Sequence, residues 1–168
     1  MNGADVLKAS YAMAHQMAGF IAGDLAADAA GKTLPGSNVQ PMGHILVHAI
    51  GTEDRFIQGM MQHKPLVFET GGWAEKLGFQ PGGPPSLTDD FNVDPAKVMA
   101  YGQAVFAAAE AYVGGLSDAE LAREFDTGIL GVQKIGQFLG GLALSHFTAH
   151  LGEIAALKGA MGLKGLPF

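Results

Sequence analysis

Gly140-Gly-Leu-Ala-Leu-Ser-His-Phe-Thr-Ala-His-Leu-Gly-Glu-Ile-Ala-Ala-Leu-Lys158 is apolar on nearly every side, yet it carries two imidazoles, His146 and His150. Helix formers stand at both ends, so the spacing predicts a helix. Positions i and i+4 share one helix face, with Cβ atoms roughly 5–6 Å apart. At that separation two ring nitrogens can converge on one divalent metal, at about 2.0–2.1 Å from each if the metal is zinc. A single histidine here would read as a hydrogen-bonded core residue. A pair in so apolar a segment favours a metal, and further ligands must then come from elsewhere in the chain.

The remainder of the chain narrows the choice. Its 168 residues suit one domain, 1–168, with a real core, and 48% of them are hydrophobic against 15% charged. Ten Lys and Arg against sixteen Asp and Glu give a net charge of −6, which argues against a nucleic-acid partner because phosphates demand cations. Cysteine is absent, so any metal must be held by His, Asp, Glu or backbone oxygen. Met1 to Lys8 has no cationic segment ahead of an apolar one, and the long uncharged run between Lys134 and Glu153 is broken by Gln137, His146 and His150. The expectation is a cytoplasmic protein without a membrane span.

Helical periodicity places a first helix from about Asp5 to Ala30, with His15 as a polar residue at one of its faces. Asn38 is the expected cap of a second helix, Pro41 lies in its first turn, and the helix runs to about His63. It holds a second pair at the same interval, His44 and His48. Lys64 to Pro95 is rich in Gly and Pro and reads as a long connection with one short helix near Trp73 to Leu77. Trp73 there either caps the core or belongs to a lid. Asp94 caps a third helix reaching about Val113, and Ser117-Asp-Ala-Glu120 opens one further turn. Phe125 to Val132 reads as irregular, the fourth helix spans about Gln133 to Met161, and Gly162 to Phe168 is a non-helical end. No alternation is strong enough for a sheet. The fold class expected is all-α, a four-helix bundle with long inter-helix connections.

Several bundle chemistries are excluded by pattern. No Glu is followed three residues later by His, as a di-iron carboxylate site requires, and His-Glu-x-x-His is absent. A mononuclear site made mostly of imidazole remains. Glu153, seven residues after His146, lies near its stripe and is placed to reach the site or hold a ring. Glu53, five residues after His48, points away from that ring, toward the helix surface or a neighbouring helix.

His48-Ala-Ile-Gly-Thr-Glu53 and Ser145-His-Phe-Thr-Ala-His-Leu-Gly-Glu-Ile-Ala-Ala-Leu-Lys158 together resemble motifs of the DinB-like superfamily of metal-binding four-helix bundles. The stretch near Tyr101, Leu116-Ser-Asp-Ala-Glu-Leu121 and Gly162-Leu-Lys-Gly-Leu-Pro167 extend the resemblance over most of the chain. It implies that His48, His146 and His150 bind a divalent metal, and that His44, His15 and His63 do not. It further implies a metal-dependent transferase or hydrolase acting on a small molecule, with a low-molecular-weight thiol such as bacillithiol or mycothiol as one partner, and a homodimer. Zinc, nickel and iron(II) all accept imidazole, so the ligand set does not select the metal. The competing readings are a non-catalytic bundle that keeps a metal for stability or ligand sensing, and a dimerisation bundle whose histidines are satisfied in the core.

Overall fold

Most of the described residues are helical in the computed structural model, which describes residues 2–128 and 130–166. The fold is all-α, with one small two-stranded sheet. Four long helices carry it: α1 (Gly3–Ala22), α3 (Met42–Asp54), α6 (Pro95–Gly114) and α9 (Leu144–Ala160). Helix α1 packs on α6 and α9, and α3 packs on the same two.

Helix α3 is the innermost. Twelve of its thirteen residues are buried, and the exception is His48. Ile45, Leu46 and Ile50 are fully excluded from water, each contributing roughly 1.5–3 kcal/mol by burial. A helix buried on all sides shows little amphipathic pattern, so its one solvent-facing side chain stands out chemically.

Helix α1 starts two residues earlier than the periodicity suggests, at Gly3. The Asn2 side chain accepts from the Asp5 amide at 2.8 Å, and the Asp5 carboxylate returns a bond to the Asn2 amide. It also ends earlier, at Ala22, and the short helix α2 (Ala27–Ala30) follows a break. The cause lies on α9. The buried Lys158 ammonium donates to the Ile21 carbonyl at 2.7 Å and to Asp24 Oδ1 at 2.5 Å. Those bonds cap the last turn of α1 and hold Asp24 outside it. Asn38 is not the cap of the second long helix: Pro41 directly precedes α3, and its carbonyl accepts from the His44 and Ile45 amides.

Beyond Asp54 the helix widens into π turns over Arg55–Met61, and a second π segment, Phe138–Ala143, leads into α9 after the short helix α8 (Ile135–Gln137). The long connection contains two short helices where one was expected, α4 (Val67–Thr70) and α5 (Trp73–Leu77). Buried Asp54 anchors them. It accepts from the amides of Val67 at 3.0 Å and Phe68 at 2.9 Å, and from the Tyr101 hydroxyl at 2.8 Å. The Trp73 ring lies 5.6 Å from that of Tyr101, on the edge of the core, so it caps the core.

The expectation of no sheet is corrected. After α7 (Asp118–Leu121), β1 (Glu124–Asp126) pairs antiparallel with β2 (Val132–Lys134). Glu124 faces Lys134 across the pair, and Phe125 meets the Phe138 ring at 5.2 Å. Gly128 and Gly131 take positive φ in the turn, where Thr127 Oγ1 donates to the Gly131 carbonyl. Three-residue strands are too short for alternation to register. Ile129, Pro167 and Phe168 lie outside the described residues.

Candidate metal centre

His48, on the open stripe of α3, faces His146 and His150 on α9. Each of the three offers one ring nitrogen, and these atoms lie within 4.8 Å of one another. The Nε2 atoms of His48 and His146 are 3.1 Å apart. Ring centroids lie 5.1 Å (48–146), 4.9 Å (48–150) and 4.6 Å (146–150) apart. The sequence-derived ligand set is therefore brought together, across 98 residues of chain for the first pair.

The donor set fits a metal. Two nitrogens bound to one zinc at 2.0–2.1 Å stand about 3.0–3.4 Å apart for ordinary bond angles. His146 is driven down to about 4 by burial first, and then by His150 and His48. His48 is lowered by burial, then by His150 and Arg55, against a raising contribution from Glu153. Both rings are thus neutral near pH 7, the state in which imidazole ligates. His150 Nδ1 donates to Glu153 Oε2 at 2.9 Å. That bond fixes the tautomer and leaves Nε2 as the nitrogen with a free lone pair. Glu153 thus holds a ring, one of its two expected roles. Behind His146 stands Phe56, 6.1 Å away between centroids, in the first π segment. The group could hold a divalent ion.

The other histidines go elsewhere. His44 Nε2 donates to the Phe91 carbonyl at 2.7 Å, and its ring stacks on Phe91 at 3.9 Å. It fastens the Gly- and Pro-rich loop. His63 takes φ +52 just past the π turns. His15 is buried, not a surface polar residue: its Nε2 lies 2.8 Å from Glu53 and its Nδ1 2.6 Å from Glu110. Glu53 does reach a neighbouring helix, as one expected alternative had it, but in the core and not at the surface, being 3% exposed. Burial alone would lower His15, yet its bonds to Glu53 and Glu110 outweigh that and hold it above its ordinary value.

Two residues outside the histidine set lie near the centre, and of these only Arg55 escaped sequence reasoning. The first is Arg55, seven residues after His48 and so on the same stripe of the helix. Its Nη2 donates to the Pro84 carbonyl. The second is Gly51, between them, where an added Cβ would lie 2.8 Å from Pro84 Cβ. The glycine lets the loop seat against α3, three residues after His48. Gly152, beside His150, has open space instead. Arg55 closes the polar stretch Thr52-Glu-Asp-Arg55, and nothing local marks its partner 29 residues on.

No protein-family model matches the chain, and no curated protein matches it. No helix of the described residues is long and apolar enough to cross a membrane. The fold is similar to a crystal structure described as that of a conserved protein from Enterococcus faecalis, with a TM-score of 0.74 over 96% of this chain and 99% of that one. At 16% identity, this likeness concerns the fold alone.

Proposed function

We propose that the chain is a metal-dependent enzyme of DinB-like type, acting on a small molecule by transfer or hydrolysis. His48, His146 and His150 would hold a divalent ion. The observation that carries the reading is the convergence of three imidazoles from α3 and α9 on one point, two of them held neutral by their surroundings. An ion bound there supplies Lewis acidity, sufficient to bring a thiol or water to its reactive, deprotonated state near neutral pH. Around it the chain's own groups have defined tasks. Glu153 orients His150, Phe56 gives His146 an apolar backing, and Gly51 lets Pro84 of the loop pack on α3 three residues after His48.

Purified protein never exposed to chelator is expected to carry about one divalent ion per chain, and His146→Ala to lose it while keeping its helical circular dichroism. Elemental analysis of both decides the matter: a wild-type chain without stoichiometric metal, or an unchanged content in the variant, ends the proposal.

Glu153→Gln keeps the side chain's shape but weakens its grip on His150 Nδ1. Metal affinity should fall about 10- to 100-fold, while stability shifts by less than about 1 kcal/mol because this pair is only partly buried. A competition titration against a chromophoric chelator measures the first and urea unfolding the second. Equal affinities in the two proteins would remove Glu153 from the site.

A further inference from the structure

Arg55 has the surroundings of a group waiting for an anion. Sixteen acidic residues against ten basic ones leave cations in this chain well supplied with partners. Even so, no carboxylate among the described residues comes within ion-pair distance of its guanidinium. Its adjacent acid, Asp54, is committed to Val67, Phe68 and Tyr101. One of the five guanidinium N–H groups reaches the Pro84 carbonyl. The head group folds back along the helix, with Nη1 3.9 Å from the position of a Cβ on Gly51, three residues from His48. Nη2 also lies 3.8 Å from the corresponding position on Gly83. Arg55 is half-buried, so solvent reaches it.

A guanidinium without a carboxylate partner, half-buried on the stripe of His48, is a charge with hydrogen-bonding capacity left over. Those imidazoles leave the full charge of a divalent ion uncompensated, and Arg55 adds another positive charge one to two turns away. The combined field favours a ligand with a donor at one end and an anionic group at the other. A guanidinium fork matches a carboxylate by geometry as well as charge.

We infer that the small-molecule substrate or co-substrate of this site carries a carboxylate, and that Arg55 binds it while the donor end lies at the three histidines. The inference rests on the metal-centre reading and names the substrate class for it. Arg55 would then have two jobs, seating the loop through Pro84 and recognising the anion.

The test uses the full chain, loaded with zinc and checked for metal content before any ligand is added. Calorimetry compares 3-mercaptopropionate with its neutral methyl ester, two compounds that share the thiol and differ in charge. The wild-type protein should prefer the acid by about ten- to a hundredfold, the worth of a hydrogen bond to a charged group. Arg55→Gln should retain metal and bring the ratio close to one, and Arg55→Lys should keep part of the preference. If Arg55 only holds the loop, both ligands weaken together and the ratio stays put, which overturns the inference. A zinc-loaded wild type that does not prefer the acid overturns it too, leaving the metal centre intact. A wild type that takes up no zinc overturns the metal reading and this inference with it.

Discussion

His15→Ala should cost about 3–5 kcal/mol at pH 7, the usual penalty for breaking a buried ion pair by removing one partner. His15 is 6% exposed, stacks on Phe106 at 4.2 Å between centroids, and bridges carboxylates from α3 and α6. Glu53 sits at 3% exposure, and its Oε2 already has no partner. Without the imidazole, both of its oxygens would be stranded. Burial raises the Glu53 carboxyl, and the His15 bond is what pulls it back toward ionisation. Replacing both, as in His15→Phe with Glu53→Leu, should recover most of the loss, because an apolar pair carries no desolvation cost.

The pH dependence follows from the direction of the His15 shift. Its folded value lies above the ordinary 6.5, so the folded state binds the proton more tightly than the unfolded chain does. The stabilisation is therefore fully present below about pH 6.5 and is lost as pH rises through the higher folded value. Urea unfolding of wild type and His15→Ala between pH 5.5 and 9 should show the gap narrowing at the alkaline end. A loss below about 1 kcal/mol at pH 7, or a gap that does not change with pH, would show that the network is not ionised.

Asp54→Ala should be comparably severe, at about 3–6 kcal/mol. Asp54 is fully buried and takes three hydrogen bonds. Its removal would orphan two amides and a hydroxyl, each worth roughly 1–3 kcal/mol when left unsatisfied in the interior. Tyr101 is already pushed far above the ordinary phenol range by burial and then by Asp54, so its hydroxyl stays protonated and has no alternative to donating. The damage should be focused on the α4–α5 stretch, which Asp54 ties to the core. Hydrogen exchange would show early loss of protection at Val67 and Phe68, and the emission of Trp73, the chain's one tryptophan, would move to longer wavelength. A destabilisation under about 1.5 kcal/mol with unaltered exchange at those amides would mean the segment is held by apolar packing alone.

The long helices and the three converging histidines were legible because both signals are periodic. His146 and His150 differ by one turn on a single helix, and His48 belongs to a second pair with the same interval. What the interval could not do was choose between His44 and His48; the resemblance made that choice, and His44 donates to the Phe91 carbonyl. Elements decided by long-range partners were not legible. The break after Ala22 depends on Lys158, 137 residues away from Ile21. The α4 turn depends on Asp54, and the hairpin on Phe138 beyond its own ends. His15 was not legible either: it read as a polar residue at a helix face, and the carboxylates that hold it inside, Glu53 and Glu110, stand 38 and 95 residues away.

The widened turns at Arg55–Met61 and Phe138–Ala143 set where this chain can change length. A π turn accommodates a residue more than an α turn needs, so a one-residue deletion there can be absorbed by relaxing to ordinary helix, with nothing beyond it re-aimed. Inside the four-residue interval from His146 to His150 the same deletion swings one ring by about 100°. Kindred chains are thus better aligned on that interval than on overall helix length, with gaps allowed to fall in the two bulged segments.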